Sequence, residues 1–190
     1  YNGNFLGDGG TGINRHAPFQ IGTATDWKEI NIGSANRFAI KNNGTLWAWG
    51  ERIVKDPTQD NVFFGVFLPT QFGTDTDWKT ISTGPEHGIG IKTNGTLWAI
   101  WGRSVYGELA HPQFVLIYID NPFQIGSDTD WKSVETGGNL SFAIKNDGSL
   151  WGWGRNDLGQ LPGDQFPFLH SNVPMKIESF ESEAVCVGST

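Results

Sequence analysis

The sequence predicts an all-β array of repeated units, and three observations carry that expectation. First, the stretches Pro18 to Gly50, Pro69 to Gly102 and Pro122 to Gly154 repeat almost letter for letter. Second, all nine tryptophans fall inside them, as Trp27, Trp47 and Trp49, then Trp78, Trp98 and Trp101, then Trp131, Trp151 and Trp153. Third, each copy places a turn dipeptide between two alternating segments. The first tryptophans, at 27, 78 and 131, set a spacing of roughly fifty residues, the signature of a repeat array in which no unit buries its apolar face alone.

Each copy opens with a short strand, Trp27 to Ile32, Trp78 to Thr83 or Trp131 to Thr136, closed by Gly33, Gly84 or Gly137. A hairpin follows. In the third copy Phe142-Ala143-Ile144-Lys145 alternates, Asn146-Asp147-Gly148 turns and Ser149-Leu150-Trp151-Gly152-Trp153 alternates again. Asn43-Gly44 and Asn94-Gly95 hold the same place in the other copies and supply the positive φ a tight hairpin needs. No segment carries a sustained helical period with start and stop signals, so small antiparallel units are the consistent architecture. Trp47 and Trp49 are two apart, as are Trp151 and Trp153, so each pair is expected on one face and packed together. At about 25 cal/mol per Å² a buried tryptophan contributes on the order of 4–6 kcal/mol gross, so these residues are expected to dominate the core. In the second copy Ile100 is inserted between Ala99 and Trp101, which predicts a bulge.

The 190 residues are read as one array, 1–190, with repeats at about 18–68, 69–121 and 122–172 and partial repeats at 1–17 and 173–190. A composition 37% hydrophobic and 13% aromatic excludes a disordered chain. The formal net charge of −7 and the absence of a Lys/Arg run argue against nucleic-acid binding. No apolar run approaches the length that spans a bilayer, and no signal-peptide layout opens the chain, which starts at Tyr1 and holds its single methionine at Met175. The one cysteine, Cys186, rules out an internal disulfide framework and reads as a small core residue.

Candidate chemistry is sparse. Gly7-Asp8-Gly9-Gly10-Thr11-Gly12 fits the dinucleotide glycine pattern but lacks the strand and helix that would present amides to a pyrophosphate, and reads as a turn. Asp75-Thr76-Asp77 and Asp128-Thr129-Asp130 lack the glycine and distal glutamate of a calcium loop and read as turn caps before the tryptophan strand. His16, His87, His111 and His170 are scattered, with no zinc spacing, and there is no nucleophile elbow. Catalytic residues, metal ligands and cofactors are therefore expected to be none. The unusual segments are the spacers, Val62 to Leu68, Phe114 to Ile119 and Phe166 to Leu169, which are strongly apolar. They read either as outer strands or as a contact surface, and the partner-binding candidates are Phe63, Phe64, Phe67, Phe114, Tyr118 and Phe168.

Gly84, His87, Ile91, Lys92, Asn94, Gly95, Thr96, Leu97 and Trp98, in the order Gly-x-x-His-x-x-x-Ile-Lys-x-Asn-Gly-Thr-Leu-Trp, together with Trp153-Gly154-Arg155-Asn156-Asp157-Leu158-Gly159-Gln160-Leu161, resemble the repeats of the regulator-of-chromosome-condensation family. The added Thr-Asp-Trp-Lys element resembles its bacterial, often secreted or surface-displayed branch. The resemblance implies a β-propeller of four-stranded blades that acts as a binding platform, here about three full blades with partial ones at the ends. The histidine of the pattern is Asn36 in the first copy and Leu140 in the third. Gly3 to Gly12 reads as the tail of one repeat and Pro174 to Ser189 as the start of another; joined, they lack a tryptophan hairpin, so the chain is expected to be part of a larger propeller.

Two functions from different classes follow. The leading one is a non-enzymatic module that binds protein or self-associates; the other is a carbohydrate-binding propeller, with exposed tryptophans stacking on sugar rings. An enzyme or a guanine-nucleotide exchange factor ranks behind both, membrane insertion is not expected, and the branch resemblance implies a secreted or cell-surface location.

Overall fold

In the computed structural model the residues described are 6–10, 15–34, 36–55, 63–111, 117–119, 121–161 and 169–177. Thirteen strands and no helix occur among them, so no helix there is long and apolar enough to cross a membrane. β1 (Trp27–Ile32), β2 (Asn36–Lys41), β3 (Leu46–Lys55) and β4 (Phe63–Gln71) form one antiparallel sheet in chain order. β5 (Trp78–Thr83), β6 (His87–Lys92) and β7 (Leu97–Ser104) form the second, whose fourth place is shared by β8 (Ile117–Ile119) and β9 (Phe123–Ile125), both paired with β7. β10 (Trp131–Gly137), β11 (Leu140–Lys145), β12 (Leu150–Arg155) and β13 (His170–Ile177) form the third. These are three successive propeller blades.

The sheets and the sequence copies are out of phase. The Pro-x-Gln/Lys-x segment that opens each copy pairs with the hairpin of the copy before it: Gln71 faces Trp47, Gln124 faces Trp98 and Lys176 faces Trp151. Each blade is completed by residues of the next copy. The tryptophan strands thereby sit third in their sheets with a hydrogen-bonded neighbour on each side, protected from exposed-edge pairing.

Two apolar clusters hold the blades together. Phe38, Ile40, Leu46, Ala48 and Phe72 of the first blade meet Trp78, Ile81, Ile100 and Trp101 of the second. Ile89, Ile91, Leu97, Ala99 and Ile125 of the second meet Trp131, Val134, Ala143 and Trp153 of the third. The core thus lies between blades, as expected for units too thin to bury a face alone. Trp49, Trp78, Trp101, Trp131 and Trp153 are buried, whereas Trp27, Trp47, Trp98 and Trp151 are half-buried. The expected Trp47–Trp49 pairing is replaced by another: Trp47 packs edge-on against Trp27, with centroids 5.7 Å apart, and Trp151 packs the same way on Trp131.

The bulge predicted at Ile100 is present. Trp101 faces Gly88 and Ala99 faces Ile89, leaving Ile100 without a counterpart on β6. Its side chain is fully buried. Room for it comes from Gly90, which stands where the other blades have Ala39 and Ala143; a Cβ at Gly90 would lie 2.7 Å from Ile100 Cδ1 and 2.9 Å from Trp78 Cζ3. The inserted isoleucine and the missing methyl group compensate one another. Gly90→Ala should therefore cost about 1–3 kcal/mol by overpacking in denaturant titrations, and the penalty should shrink when Ile100 is also deleted.

Candidate interaction site

In each blade a lysine ends the second strand and reaches between two tryptophans toward the loop that precedes the first strand. Lys92 Nζ lies 2.7 Å from Asp75 Oδ2 and 3.2 Å from Asp77 Oδ1, and 5.2 and 4.1 Å from the ring centroids of Trp78 and Trp98. Lys145 repeats this with Asp128 at 2.6 Å, Asp130 at 3.1 Å, and both Trp131 and Trp151 at 4.8 Å. Lys41 has Asp26 at 3.0 Å between Trp27 and Trp47, while Ala24 stands where the second carboxylate would be. Burial acts to lower the pKa of Lys92 and Lys145, but hydrogen bonds and charge from their paired aspartates outweigh it and leave both raised. The aspartates read as turn caps are, in the fold, the counter-ions of these lysines.

The turn residues complete the clamp. Asn43 Oδ1 accepts from Thr45 Oγ1 at 2.7 Å, and that hydroxyl accepts from Trp47 Nε1 at 2.9 Å. Asn94, Thr96 and Trp98 repeat the relay, as do Asp147, Ser149 and Trp151. The Asn/Asp-Gly-Thr/Ser-Leu-Trp motif therefore orients the outer indole and satisfies its N–H.

A polar knot joins the second and third blades. Trp153 Nε1 donates to the carbonyl of Glu108 at 2.8 Å, and Ser141 Oγ donates to the same carbonyl at 2.9 Å. With that hydroxyl proton engaged, His87 Nε2–H donates to Ser141 Oγ at 2.9 Å. The buried Glu108 carboxylate accepts the Val105 and Tyr106 amides, each at 2.8 Å. Burial lowers the His87 pKa to about 4 from 6.5, against a smaller opposing contact at the Leu140 backbone.

The apolar spacers form outer strands where they are described. Phe63 and Phe64 lie in β4 opposite Lys55 and Val54, and Tyr118 lies in β8 opposite Arg103. Phe67 is 44% exposed beside the exposed Leu68, and Leu169 and Val173 are exposed at the third blade's outer strand. Phe114 and Phe168 lie outside the described residues. The structure thus leaves exposed apolar residues at the outer edges of two blades, Phe67 and Leu68 on the first and Leu169 and Val173 on the third, of which Phe67 is among the six candidates read from sequence. Gly7 to Gly10 forms a turn, with Asp8 Oδ1 accepting the Gly10 amide at 3.3 Å.

The regulator of chromosome condensation (RCC1) repeat pattern matches residues 131–160 and, in a second form, 147–190. The ultraviolet-B receptor UVR8 of Arabidopsis thaliana is 26% identical over 148 residues, which cover 70% of this chain and 30% of that protein. The probable E3 ubiquitin-protein ligase HERC6 of Homo sapiens is 26% identical over 169 residues, covering 82% of this chain and 16% of its own length. The structure of Prp20p from Saccharomyces cerevisiae, described with its binding to Gsp1p and histones, superposes with a TM-score of 0.66 at 22% identity, covering 83% of this chain and 39% of that one. The chain spans less than a third of these curated relatives.

Two outcomes test the geometry. Asp75→Ala, which removes the 2.7 Å hydrogen bond to Lys92, and Asp77→Ala, which removes the ion pair at 3.2 Å, should each cost about 1 kcal/mol or less in denaturant titrations, since both carboxylates are partly screened by water. Unfolded His87 takes up a proton near 6.5 and the folded residue only near 4. Its contribution is complete above the unfolded value and is lost as pH falls from 6.5 to 4, by about 3 kcal/mol. Stability measured against pH should flatten across that window in His87→Asn relative to the wild type.

Proposed function

The chain belongs to the regulator-of-chromosome-condensation repeat family, and from that premise we propose that it is a non-enzymatic protein-interaction module, its blades serving as a scaffold for the outer-strand surface. The observation that carries the reading is the exposed apolar edge residues, Phe67 and Leu68 at the first blade and Leu169 and Val173 at the third, beside tryptophan-clamped sheets. Apolar side chains left in water on a well-packed scaffold are where a protein partner gains most by desolvation. The binding of Gsp1p and histones described for Prp20p supports a protein partner as the class of ligand. Phe63, Phe64, Phe114, Tyr118 and Phe168 belong to the same proposed surface by their place in the spacers, and a secreted or surface location is proposed on the Thr-Asp-Trp-Lys resemblance alone.

The tryptophans favour protein over carbohydrate. None is exposed, and the four half-buried indoles have lysines over their rings or their N–H groups held by hydroxyls. A sugar ring would find no free row of indole faces.

Substitution separates scaffold from surface. Phe67→Ser and Leu169→Ser should weaken capture of a partner at least tenfold while leaving melting unchanged. Trp153→Ala should instead lower stability by about 3–5 kcal/mol as a core truncation. Unfolding by the edge variants, or undiminished binding by them, would overturn the reading.

A further inference from the structure

Asn-Gly occurs in the sequence as Asn2-Gly3, Asn43-Gly44 and Asn94-Gly95, and the second and third of these pairs form the hairpin turns beside the first and second clamps. Asn-Gly is the dipeptide in which a chain rearranges most readily, because no Cβ shields the glycine amide. Its nitrogen attacks the asparagine Cγ, the new N–C bond closes an imide ring as the Cγ–Nδ2 bond breaks, and the glycine proton leaves with that nitrogen as ammonia. Water then opens the ring at either carbonyl, giving aspartate or isoaspartate. The reaction needs a glycine nitrogen free to lose its proton and an asparagine side chain free to swing onto it.

The turns remove both freedoms. The Gly44 amide donates to Lys41 O and the Gly95 amide to Lys92 O, each at 2.9 Å, which opposes deprotonation of either nitrogen. Asn43 Oδ1 accepts from the Thr45 amide at 3.1 Å and from Thr45 Oγ1 at 2.7 Å, and Asn94 Oδ1 accepts from Thr96 at the same two distances, so each side chain is held on the residue beyond the glycine. The following blade closes each turn from outside. The Trp78 amide donates to Gly44 O at 3.1 Å and the Trp131 amide to Gly95 O at 3.2 Å, and the two glycines press against the backbone of Thr76 and Thr129 so closely that a Cβ would collide. The third copy shows which product fits. Asp147 stands where the other copies have Asn43 and Asn94 and runs the same relay, its Oδ1 accepting the Ser149 amide at 2.8 Å and Ser149 Oγ at 2.6 Å. Isoaspartate would add a methylene to the main chain where the glycine has no room, and would shorten the side chain that reaches the hydroxyl.

We propose that Asn43 and Asn94 are latent deamidation sites, closed while the blades are stacked and opened when their hairpins come apart, with aspartate the product the fold accepts and isoaspartate the one it rejects. A hairpin left open therefore loses, molecule by molecule, its ability to close again. An isoaspartate at 43 or 94 records that the junction beside it has been open. The modification belongs to the two internal junctions, needs no binding partner, and stands apart from the scaffold reading.

Peptide mapping by mass spectrometry of the 190-residue chain, incubated in mildly alkaline buffer with and without denaturant, tests this. In denaturant Asn2, Asn43 and Asn94 should convert at similar rates; without it Asn43 and Asn94 should convert at least about tenfold more slowly, in step with the population of open hairpin. Thr96→Val, which removes the hydroxyl from Asn94, should speed conversion in the folded protein at Asn94 more than at Asn43. Asn94→Asp should melt as the wild type does, whereas chains that acquired isoaspartate at 94 in denaturant should be depleted from the refolded fraction. Equal rates at Asn43 and Asn94 with and without denaturant overturn the proposal, as does equal recovery of aspartate and isoaspartate chains on refolding. Should no chain refold from denaturant, the two variants decide: a destabilised Asn94→Asp, or a Thr96→Val that leaves the rate at Asn94 unchanged, overturns it equally.

Discussion

The lysine held between two indoles is the constraint on which each blade depends. An ammonium brought nearly out of water would be costly alone. Here Lys92 meets two carboxylates along its direction of approach and two π faces on its flanks. The arrangement ties together three parts of the copy: the loop before the first strand, the end of the second and the start of the third. It also locates the outer indole, which the Thr or Ser hydroxyl then fixes from its N–H side. Cation–π attraction of this kind strengthens as water is excluded, so the clamp and the surrounding burial reinforce each other.

From the clamp the order propagates to the neighbouring blade. The turn glycine next to the first and second clamps turns its carbonyl to the first tryptophan amide of the following copy, and the apolar sides of the hairpin fill that copy's receiving face. At the second junction His87, Ser141, Trp153 and the Glu108 carbonyl add a polar chain within the apolar contact, in which His87 Nδ1 alone has no hydrogen-bond partner. Directional hydrogen bonds between buried groups favour one arrangement of two surfaces over sliding alternatives. The first junction has Asn36 in place of His87 and instead uses Glu29, whose carboxylate accepts from Thr80 Oγ1 and the Ile81 amide, each at 3.0 Å.

The features legible in the sequence are those made within a few residues. The hairpins follow from Asn-Gly and Asp-Gly between alternating segments, and the bulge from a single inserted isoleucine, because turn geometry and strand register are local. The clamp is not legible locally, because its partners are seventeen residues apart, Asp75 with Lys92 and Asp128 with Lys145, and Ala24 breaks the pattern in one copy. The two-residue period pairs Trp47 with Trp49, whereas the bulged end of the first strand brings the cross-strand neighbour Trp27 edge-on against Trp47. Of the candidate surface, the apolar character of the spacers was visible and their strand pairing was not, since β4 and β8 are set by partners on β3 and β7 and not by their own alternation.

The phase difference between sequence copy and sheet bears on how the protein is made. In order of synthesis Trp47 and Ala48 precede Thr70 and Gln71, so that end of the tryptophan strand gains its outer neighbour only once the opening of the next copy has been made. Each newly synthesised copy therefore finishes its predecessor before building its own hairpin. The order in which blades can be completed thus follows the order of translation.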